Sequence, residues 1–166
     1  MDLRMTISFL QNHYDLHEVE YGYEFVTEKG VVYSVTFLSY PSVSDYLLVN
    51  TYMFNIERVT MSDEREGQND VRVRNTVLYV LHRFFQLNHD AIITICDMSD
   101  GKQKARKRLF DSWFNQFNNG SLVKIDAECE IGEMTTFASL LYSSENPSAA
   151  DLKRNFDELI QVNFWS

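Results

Sequence analysis

Residues 91–117, AIITICDMSDGKQKARKRLFDSWFNQF, decide the fold of this chain. The first six residues are a continuous apolar run of β-branched character, which is typical of a central strand covered on both faces, and flanking helices favour a parallel placement. Asp100 and Gln103 then resemble a capping box, which predicts the start of a helix. That helix is expected to supply much of the core through Ala105, Leu109, Phe110, Trp113, Phe114 and Phe117.

The segments before this stretch predict a hairpin, a strand and a helix. Residues 1–20 suggest a weak helix that runs into a strand. Alternating side chains then flank Gly30, which supplies the positive φ of a hairpin turn. Residues 46–56 carry apolar side chains at alternate positions, which predicts a long strand. After a polar loop, Asn69 or Asp70 would cap a helix whose apolar stripe is Val73, Val77, Val80, Leu81, Phe84 and Leu87.

The segments after this stretch predict two strands and a last helix. Residues 123–131 alternate apolar side chains with Lys124, Asp126, Glu128 and Glu130, so this strand has an acidic outer face. A second strand follows Gly132, and a helix carries the stripe Leu152, Phe156, Leu159 and Ile160, capped by Asn146 or Ser148. We therefore predict one domain over residues 1–166. Its expected class is α/β (α+β), with a single mixed, largely antiparallel sheet flanked by helices.

The charge balance restricts the partners. The formal net charge is −9, whereas general nucleic-acid binding requires a net basic surface, so we expect no general nucleic-acid binding. Asp2 and Arg4 stand where a signal peptide would be apolar, and no later run approaches the ~18 apolar residues that span a bilayer. The expected location is the cytoplasm, without membrane contact.

Cysteines and histidines do not predict a metal site. Cys96 and Cys129 lie in predicted strands without CxxC or Cys/His spacing, so we expect reduced, packed thiols. His13 and His17 stand four residues apart, and on a helix both could reach one metal. No third ligand can be identified from the sequence. An ordinary surface location is therefore the favoured interpretation of the two rings.

A basic cluster at the start of the predicted second helix is the candidate binding site. Its five members stand within seven positions and are Lys102, Lys104, Arg106, Lys107 and Arg108. Cations at a helix N-terminus oppose the helix dipole, which typically costs ~0.3 to 1 kcal/mol each when they are exposed. Either nearby acidic groups neutralise them as part of a solvated face, or they form a site for an anion or acidic partner.

The segments YEFVTEKGVVYSVTF and CDMSDGKQKARKRLFDSWF carry one resemblance. Together they resemble a family of small Bacteroidetes proteins of unknown function, and the similarity covers most of the chain. More remotely, the order hairpin, strand, helix, strand, helix, strand, strand is similar to the body of GCN5-related N-acetyltransferases. The positions of Ala105, Leu109 and Trp113 are similar to apolar positions in a helix of that family.

The acetyltransferase resemblance implies a cofactor and site residues. In that family a glycine-rich loop binds acyl-CoA, and the corresponding segment here, DEREGQNDVRVRN, has Gly67 as its one glycine. Arg72, Arg74 and the loop around Gly67 would then meet the phosphates of acetyl-CoA, and Glu57 would be the general base. Phe110 stands near the position of the family's acid tyrosine and has no hydroxyl, so a degenerate or repurposed member is the expectation.

Three functions remain as hypotheses. No GxSxG, HExxH, P-loop or GxGxxG pattern occurs, so no enzyme class is supported by a motif. The favoured prediction is a non-catalytic module without a cofactor, which contacts a protein partner or anion through the basic cluster. The alternatives are an acetyl-CoA-dependent N-acyltransferase and an acidic inhibitor of the antitoxin or immunity type, which would present Asp126, Glu128 and Glu130 to a basic partner.

Overall fold

Seven strands and three helices occur in the part of the chain that the structure, a computed structural model, describes. The described residues are 11–39, 51–59, 70–87, 90–96, 101–118 and 120–165, with the backbone alone at 131 and 162–165. The strands are β1 His17–Val19, β2 Gly22–Val26, β3 Val32–Ser39, β4 Thr51–Arg58, β5 Ala91–Ile95, β6 Leu122–Ile131 and β7 Met134–Ser143. The helices are α1 Val71–Leu87, α2 Gln103–Phe117 and α3 Ala149–Trp165.

The strands form one mixed sheet, in the order β1-β2-β3-β4-β5-β7-β6. β2 is antiparallel to β1 and to β3, and β7 is antiparallel to β5 and to β6. β4 and β5 run parallel over Thr51–Met53 and Ala91–Ile93. The predicted α+β class with a mixed, largely antiparallel sheet is confirmed, and so is the parallel placement of the central strand.

The chain divides into two compact units, one of Met1–Leu38 with Phe54–Asn88 and one of Ser39–Met53 with His89–Ser166. The prediction of one domain over residues 1–166 stays a prediction. In the first unit the predicted hairpin is confirmed, because β2 and β3 pair in register and Gly30 adopts a φ of 80° in the turn between them. Its side chains stack in the core, where the Phe37 and Phe84 ring centroids lie 4.8 Å apart.

Helix α1 begins where the sequence predicts. Oδ1 of Asp70 accepts hydrogen bonds from the backbone N–H groups of Arg72, at 2.8 Å, and Val73, at 3.4 Å, so Asp70 caps the helix. Most of the predicted stripe is buried, but Leu87 is 73% exposed because it occupies the last helical position. Most of the predicted weak N-terminal helix lies outside the described residues, residues 13–16 are not helical, and the strand predicted to follow is β1. Most of the polar loop before α1 also lies outside the described residues.

The second unit has its core between helix α3 and one face of β5, β6 and β7. Cys129, Leu140 and Phe156 are fully buried there, and Val123, Ile125 and Ala127 of β6, which were predicted to face inward, pack against this cluster. Of the two predicted caps, Ser148 stands at the N-cap position, because its carbonyl accepts the N–H of Leu152 at 2.9 Å, and Oδ1 of Asn146 accepts the N–H of Ser148 at 2.8 Å in the turn before α3. Both cysteines are free, with Cys129 buried and Cys96 half-buried.

Helix α2 differs from the prediction in two ways. Its first residue, Gln103, does not close a capping box, because its amide donates to the carbonyl oxygen of Thr135 at 2.8 Å and the helix is preceded by Lys102 without a side-chain cap. Only Gln103 and Phe114 are buried in the helix, and Leu109 is 41% exposed. The expectation that α2 supplies much of the core is therefore wrong. No helix in the described residues is long and apolar enough to cross a membrane.

Candidate functional site at the start of helix α2

The basic cluster lies at the start of α2, as predicted, and its side chains point in two directions. Lys102, Lys104, Arg106 and Arg108 are exposed. Lys107 is half-buried and points toward the sheet, where its ammonium group lies 5.7 Å from the centroid of the Phe137 ring. The cluster thus consists of four cations that face outward and one lysine that faces inward.

The inward lysine belongs to a chain of charged side chains between α2 and the sheet. Nζ of Lys107 lies 2.5 Å from Oδ2 of Asp111, and Nζ of Lys124 lies 2.6 Å from Oδ1 of the same carboxylate. Lys124 continues to Asp126 at 2.5 Å, and Ser139 donates its hydroxyl to Asp126 at 2.6 Å. The side chain of Lys124 is only 8% exposed, so this chain of contacts takes a lysine of β6 largely out of water.

The protonation preferences follow from these contacts. Burial would raise the pKa of Asp111, but the hydrogen bonds from Lys107 and Lys124 outweigh it and hold the pKa of this carboxyl below its usual value. The hydrogen bond to Asp111 raises the pKa of the Lys107 ammonium group. Both groups are therefore charged at neutral pH, and they neutralise each other beneath the helix.

The outward face of α2 has a single sign of charge. The exposed residues among positions 102–117, all of which the structure describes, include no carboxylate. They are Lys102, Lys104, Ala105, Arg106, Arg108, Leu109, Ser112, Asn115 and Gln116. Leu109 therefore stands as an exposed apolar side chain next to cations. Within this helix Lys107 pairs with Asp111, while Asp97 and Asp100, the acidic residues that precede the cluster in sequence, lie outside the described residues.

Cys96 lies at the end of β5 near the same cations and does not have the properties of a reactive thiol. Burial raises the pKa of its thiol, although Arg106, Lys107 and Lys124 act in the opposite direction. Its backbone is fixed on both sides, since its N–H donates to Phe137 at 2.9 Å and its carbonyl accepts from Thr136 at 2.6 Å.

Of the residues implied by the acetyltransferase resemblance, Arg72 and Arg74 contact other side chains of the chain. One guanidinium nitrogen of Arg72 lies 2.9 Å from Oε1 of Glu28, and Cζ of Arg72 lies 4.0 Å from the centroid of the Tyr14 ring. Arg74 donates to the side-chain oxygen of the adjacent Asn75. Glu57 is exposed on β4, and Gly67 lies outside the described residues.

The start of α1 is already occupied by side chains of the chain itself. Asp70 accepts the two helix amides described above, and its Oδ2 also accepts the hydroxyl of Tyr14 at 2.5 Å. Tyr14 is in turn held by its backbone N–H, which donates to Oγ1 of Thr76 at 2.9 Å. A carboxylate thus occupies the position that a cofactor phosphate would need at this helix N-terminus.

The two histidines do not form the pair that a helix would have given. Residues 13–16 are not helical, and His17 is exposed in β1. The ring of His13 stacks on Tyr79 with centroids 4.1 Å apart, and its Nδ1 lies 2.8 Å from the carbonyl oxygen of Tyr14. No group of three or more metal-ligating side chains occurs among the described residues.

No local sequence pattern indicated several of the side chains that organise these sites. Tyr14 and Asp70, and likewise Asp111 and Lys124, are far apart in sequence, so neither pairing has a local pattern. One signal was present: Lys124 is the one cation in the otherwise acidic series of β6, and a sign change of that kind can mark a position that faces a buried carboxylate.

The fold and the outward cations define an α+β protein with an exposed basic helix face and no recognisable catalytic constellation in the described residues. The profile of the Family of unknown function (DUF6169) matches residues 69–158, and the chain belongs to that family. The match spans more than half of the chain and runs from the start of α1 into α3. No curated protein and no solved structure matches the chain.

Proposed function

We propose that this chain is a non-catalytic binding module of the cytoplasm, and that the outward face of α2 contacts an acidic segment of a protein partner. One observation carries the proposal: four exposed cations and no exposed carboxylate lie on one helix of a chain whose net charge is −9. A concentrated basic face on an acidic protein steers an acidic partner to one place, because the rest of the surface repels it.

The exposed leucine favours a protein segment over a small anion. Leu109 is 41% exposed and Ala105 lies one turn before it, so an apolar strip runs between the cations. A phosphate ion would use the charges and leave this strip in water. A partner with acidic residues around an apolar side chain would cover both, and Arg is enriched where protein interfaces form.

Charge reversal on this face tests the proposal. Lys104→Glu with Arg108→Glu should abolish capture of the partner from lysate, or weaken it at least ~10-fold, because it replaces attraction by repulsion. Lys153→Glu with Arg154→Glu is the matched control, since it makes the same charge change on exposed positions of α3. Equal capture by the two double variants would contradict the proposal. Circular dichroism checks that both remain folded.

A second substitution separates a protein partner from a simple anion. Leu109→Ser keeps every charge and should still weaken capture, because it removes the apolar contact. Raising the ionic strength from about 0.1 to 1 M shortens the Debye length from about 10 to 3 Å and should release the partner. Capture that is insensitive to Leu109→Ser would assign the contact to charge alone.

An acetyl-CoA-dependent N-acyltransferase is the second candidate, and the element order supports it. The chain has the predicted succession of hairpin, strand, helix, strand, helix and two strands. Asp70 already accepts the first amides of α1, and Glu28 already pairs with Arg72, so these groups give less support to phosphate binding there. Millimolar acetyl-CoA should raise the melting temperature by mass action if the candidate holds, and an unchanged melting temperature would exclude it.

The third hypothesis, an inhibitor of the antitoxin or immunity type, depends on the acidic face of β6. Glu128 and Glu130 are exposed there, whereas Asp126 is engaged by Lys124 and Ser139. Those two glutamates would therefore make most of the contact with a basic partner.

A further inference from the structure

Strand β6 is a long edge of the sheet. It is the last strand in the sheet order, and within the described part of the chain no strand pairs with its outer side. Its ten residues pair with β7 without interruption, from Leu122 opposite Ser143 to Ile131 opposite Met134. At about 3.4 Å per residue this edge is roughly 30 Å long. The opposite edge, β1, has only three residues.

Two backbone hydrogen bonds, one on each side of β7, show which backbone groups of β6 point outward. The N–H of Ser144 donates to the carbonyl of Ser121 at 2.9 Å, so this directly opposed pair is hydrogen-bonded. Bonded and non-bonded pairs alternate in an antiparallel ladder, so the odd residues of β6 bond to β7. On the other side of β7, the N–H of Cys96 donates to the carbonyl of Phe137 at 2.9 Å. The odd residues of β7 therefore bond toward β5 and its even residues toward β6, which agrees with this alternation. The backbone groups on the outer edge are those of the even residues. The side chain of Asn118 already bonds to both groups of Leu122, since it accepts the N–H at 3.2 Å and donates to the carbonyl at 3.0 Å, so the groups left for a further strand are those of Lys124, Asp126, Glu128 and Glu130.

Beyond Leu122, whose backbone groups Asn118 occupies, this edge lacks the usual structural protection against pairing. Proteins commonly shorten an edge strand, interrupt it with proline or a bulge, or cover it. Residues 122–131 contain no proline, and the continuous register leaves no room for a bulge. The remaining protection is charge, and that charge is mainly negative. Such an edge disfavours an acidic strand and favours a basic one.

The two faces of β6 specify the side chains of a strand that would pair with it. On one face the residues are Lys124, Asp126, Glu128 and Glu130, of which the last three are exposed. On the other face Val123, Ile125 and Ala127 are only partly buried at the margin of the core under α3. A strand beside β6 would therefore place alternate residues next to carboxylates and the others next to apolar side chains.

We infer that the outer edge of β6 binds an extended segment of a partner protein in which basic residues alternate with apolar ones. The segment adds an eighth strand, so that its backbone bonds to the outward groups of β6 and its lysines or arginines lie beside Glu128 and Glu130. A second copy of this chain fits less well in the register centred on Ala127. Antiparallel pairing of two β6 strands around Ala127 would place Asp126 opposite Glu128 twice, and like charges in directly opposed positions are destabilising.

A synthetic peptide tests this inference directly. The peptide has ten residues that alternate lysine with valine and has blocked ends, and its control has glutamate in place of every lysine. The lysine peptide should bind and slow amide hydrogen exchange at the even-numbered residues of β6 from Lys124 to Glu130, while the odd-numbered amides and that of Leu122 are bonded already. Absence of binding at millimolar peptide, or binding without added protection at the even-numbered amides, would overturn the inference.

Substitutions then separate this site from the face of α2. Glu128→Lys with Glu130→Lys should weaken the lysine peptide about tenfold or more and make the glutamate peptide the better ligand, because the cross-strand pairs change sign. Lys104→Glu with Arg108→Glu should leave peptide binding unchanged. If only the α2 variant weakens binding, the β6 site is wrong while the proposed function stands. The exchange pattern of the unmodified chain decides the question should the β6 variant fail to fold.

Discussion

Asp111 of helix α2 and Lys124 of strand β6 lie 2.6 Å apart, between Oδ1 and Nζ, and this pair fastens the helix to the sheet. In helix α2 only Gln103 and Phe114 are buried, and the aromatic residues Phe110, Trp113 and Phe117 are half-buried. The buried lysine and its two carboxylates add ion pairs to this partial burial. This arrangement lets the opposite face of α2 remain polar and accessible without loss of the helix.

Removal of the Asp111 charge should loosen α2. Asp111→Asn leaves Lys124 largely buried with Asp126 as its remaining ion-pair partner, and we expect a loss of about 1 to 3 kcal/mol in the free energy of unfolding. Chemical denaturation measures the loss. Arg154→Gln is the control, because Arg154 pairs with Asp151 where both side chains are 64% exposed, and such pairs contribute roughly 0 to 1 kcal/mol. A smaller loss for Asp111→Asn than for the control would contradict the role assigned to it.

The same network predicts a pH dependence. The pKa of Asp111 is lowered in the folded state, so its stabilising contribution is present above the ordinary aspartate pKa of about 3.9 and is lost as the pH falls through the lowered value. The pKa of Lys107 is raised, so its contribution is present below the ordinary lysine pKa of about 10.4 and is lost as the pH rises through the raised value.

The difference in unfolding free energy between the wild type and Asp111→Asn should therefore be constant from about pH 5 to 9 and shrink below about pH 4. Urea titrations at a series of pH values test this expectation. A difference that grows toward acid pH would show that the carboxylate is not stabilised by its two lysines.

Tyr14 should contribute stability through its hydroxyl. Tyr14→Phe keeps the buried ring and removes the hydrogen bond to the Asp70 carboxylate, together with the long one, 3.5 Å, that the hydroxyl accepts from the N–H of Glu28, so we expect a loss of about 1.5 to 3 kcal/mol. Asp70→Ala should cost more, because it also removes the cap of α1. A double-mutant cycle measures the coupling, and strictly additive losses would show that the two side chains act independently.

Gly22 is a position where no side chain fits. A Cβ atom there would stand 2.0 Å from the carbonyl oxygen of Val35 on the paired strand, so Gly22→Ala must displace β2 from β3. We expect a loss of about 1 to 3 kcal/mol, by analogy with overpacked cores. Gly132→Ala serves as a comparison, since open space surrounds that position and only its φ of 63° opposes the substitution. Thermal unfolding of both variants tests the contrast.

Local patterns predicted most of the elements. The alternation in β6, the glycine turn between β2 and β3, the cap at Asp70 and the stripe of α3 were all predicted from neighbouring residues, and each has a local physical cause. Leu87 was misplaced at the end of its helix, because a periodic stripe does not show where burial stops.

Helix α2 shows what such patterns cannot give. Its aromatic residues predict a core helix, but how many of them become buried depends on the neighbouring sheet surface, which carries Lys124 and Asp126 rather than a continuous apolar face. The candidate cations were found from their clustering. That Lys107 points inward while Lys104 and Arg108 point outward was not predicted, because it depends on Asp111 and on a lysine from another element.

The β6–β7 hairpin also bears on how the chain folds. Its strands are joined by a two-residue turn at Gly132 and Glu133, so all ten pairs form between residues that are close in sequence, whereas Thr51 and Ala91 of the parallel pair are some forty residues apart. Closing a short loop loses less entropy than closing a long one, and isolated hairpins form in about 1 to 10 μs. Pulse-labelled hydrogen exchange during refolding should therefore detect protection in β6 and β7 before β4, which would make this hairpin the template on which the central sheet is completed.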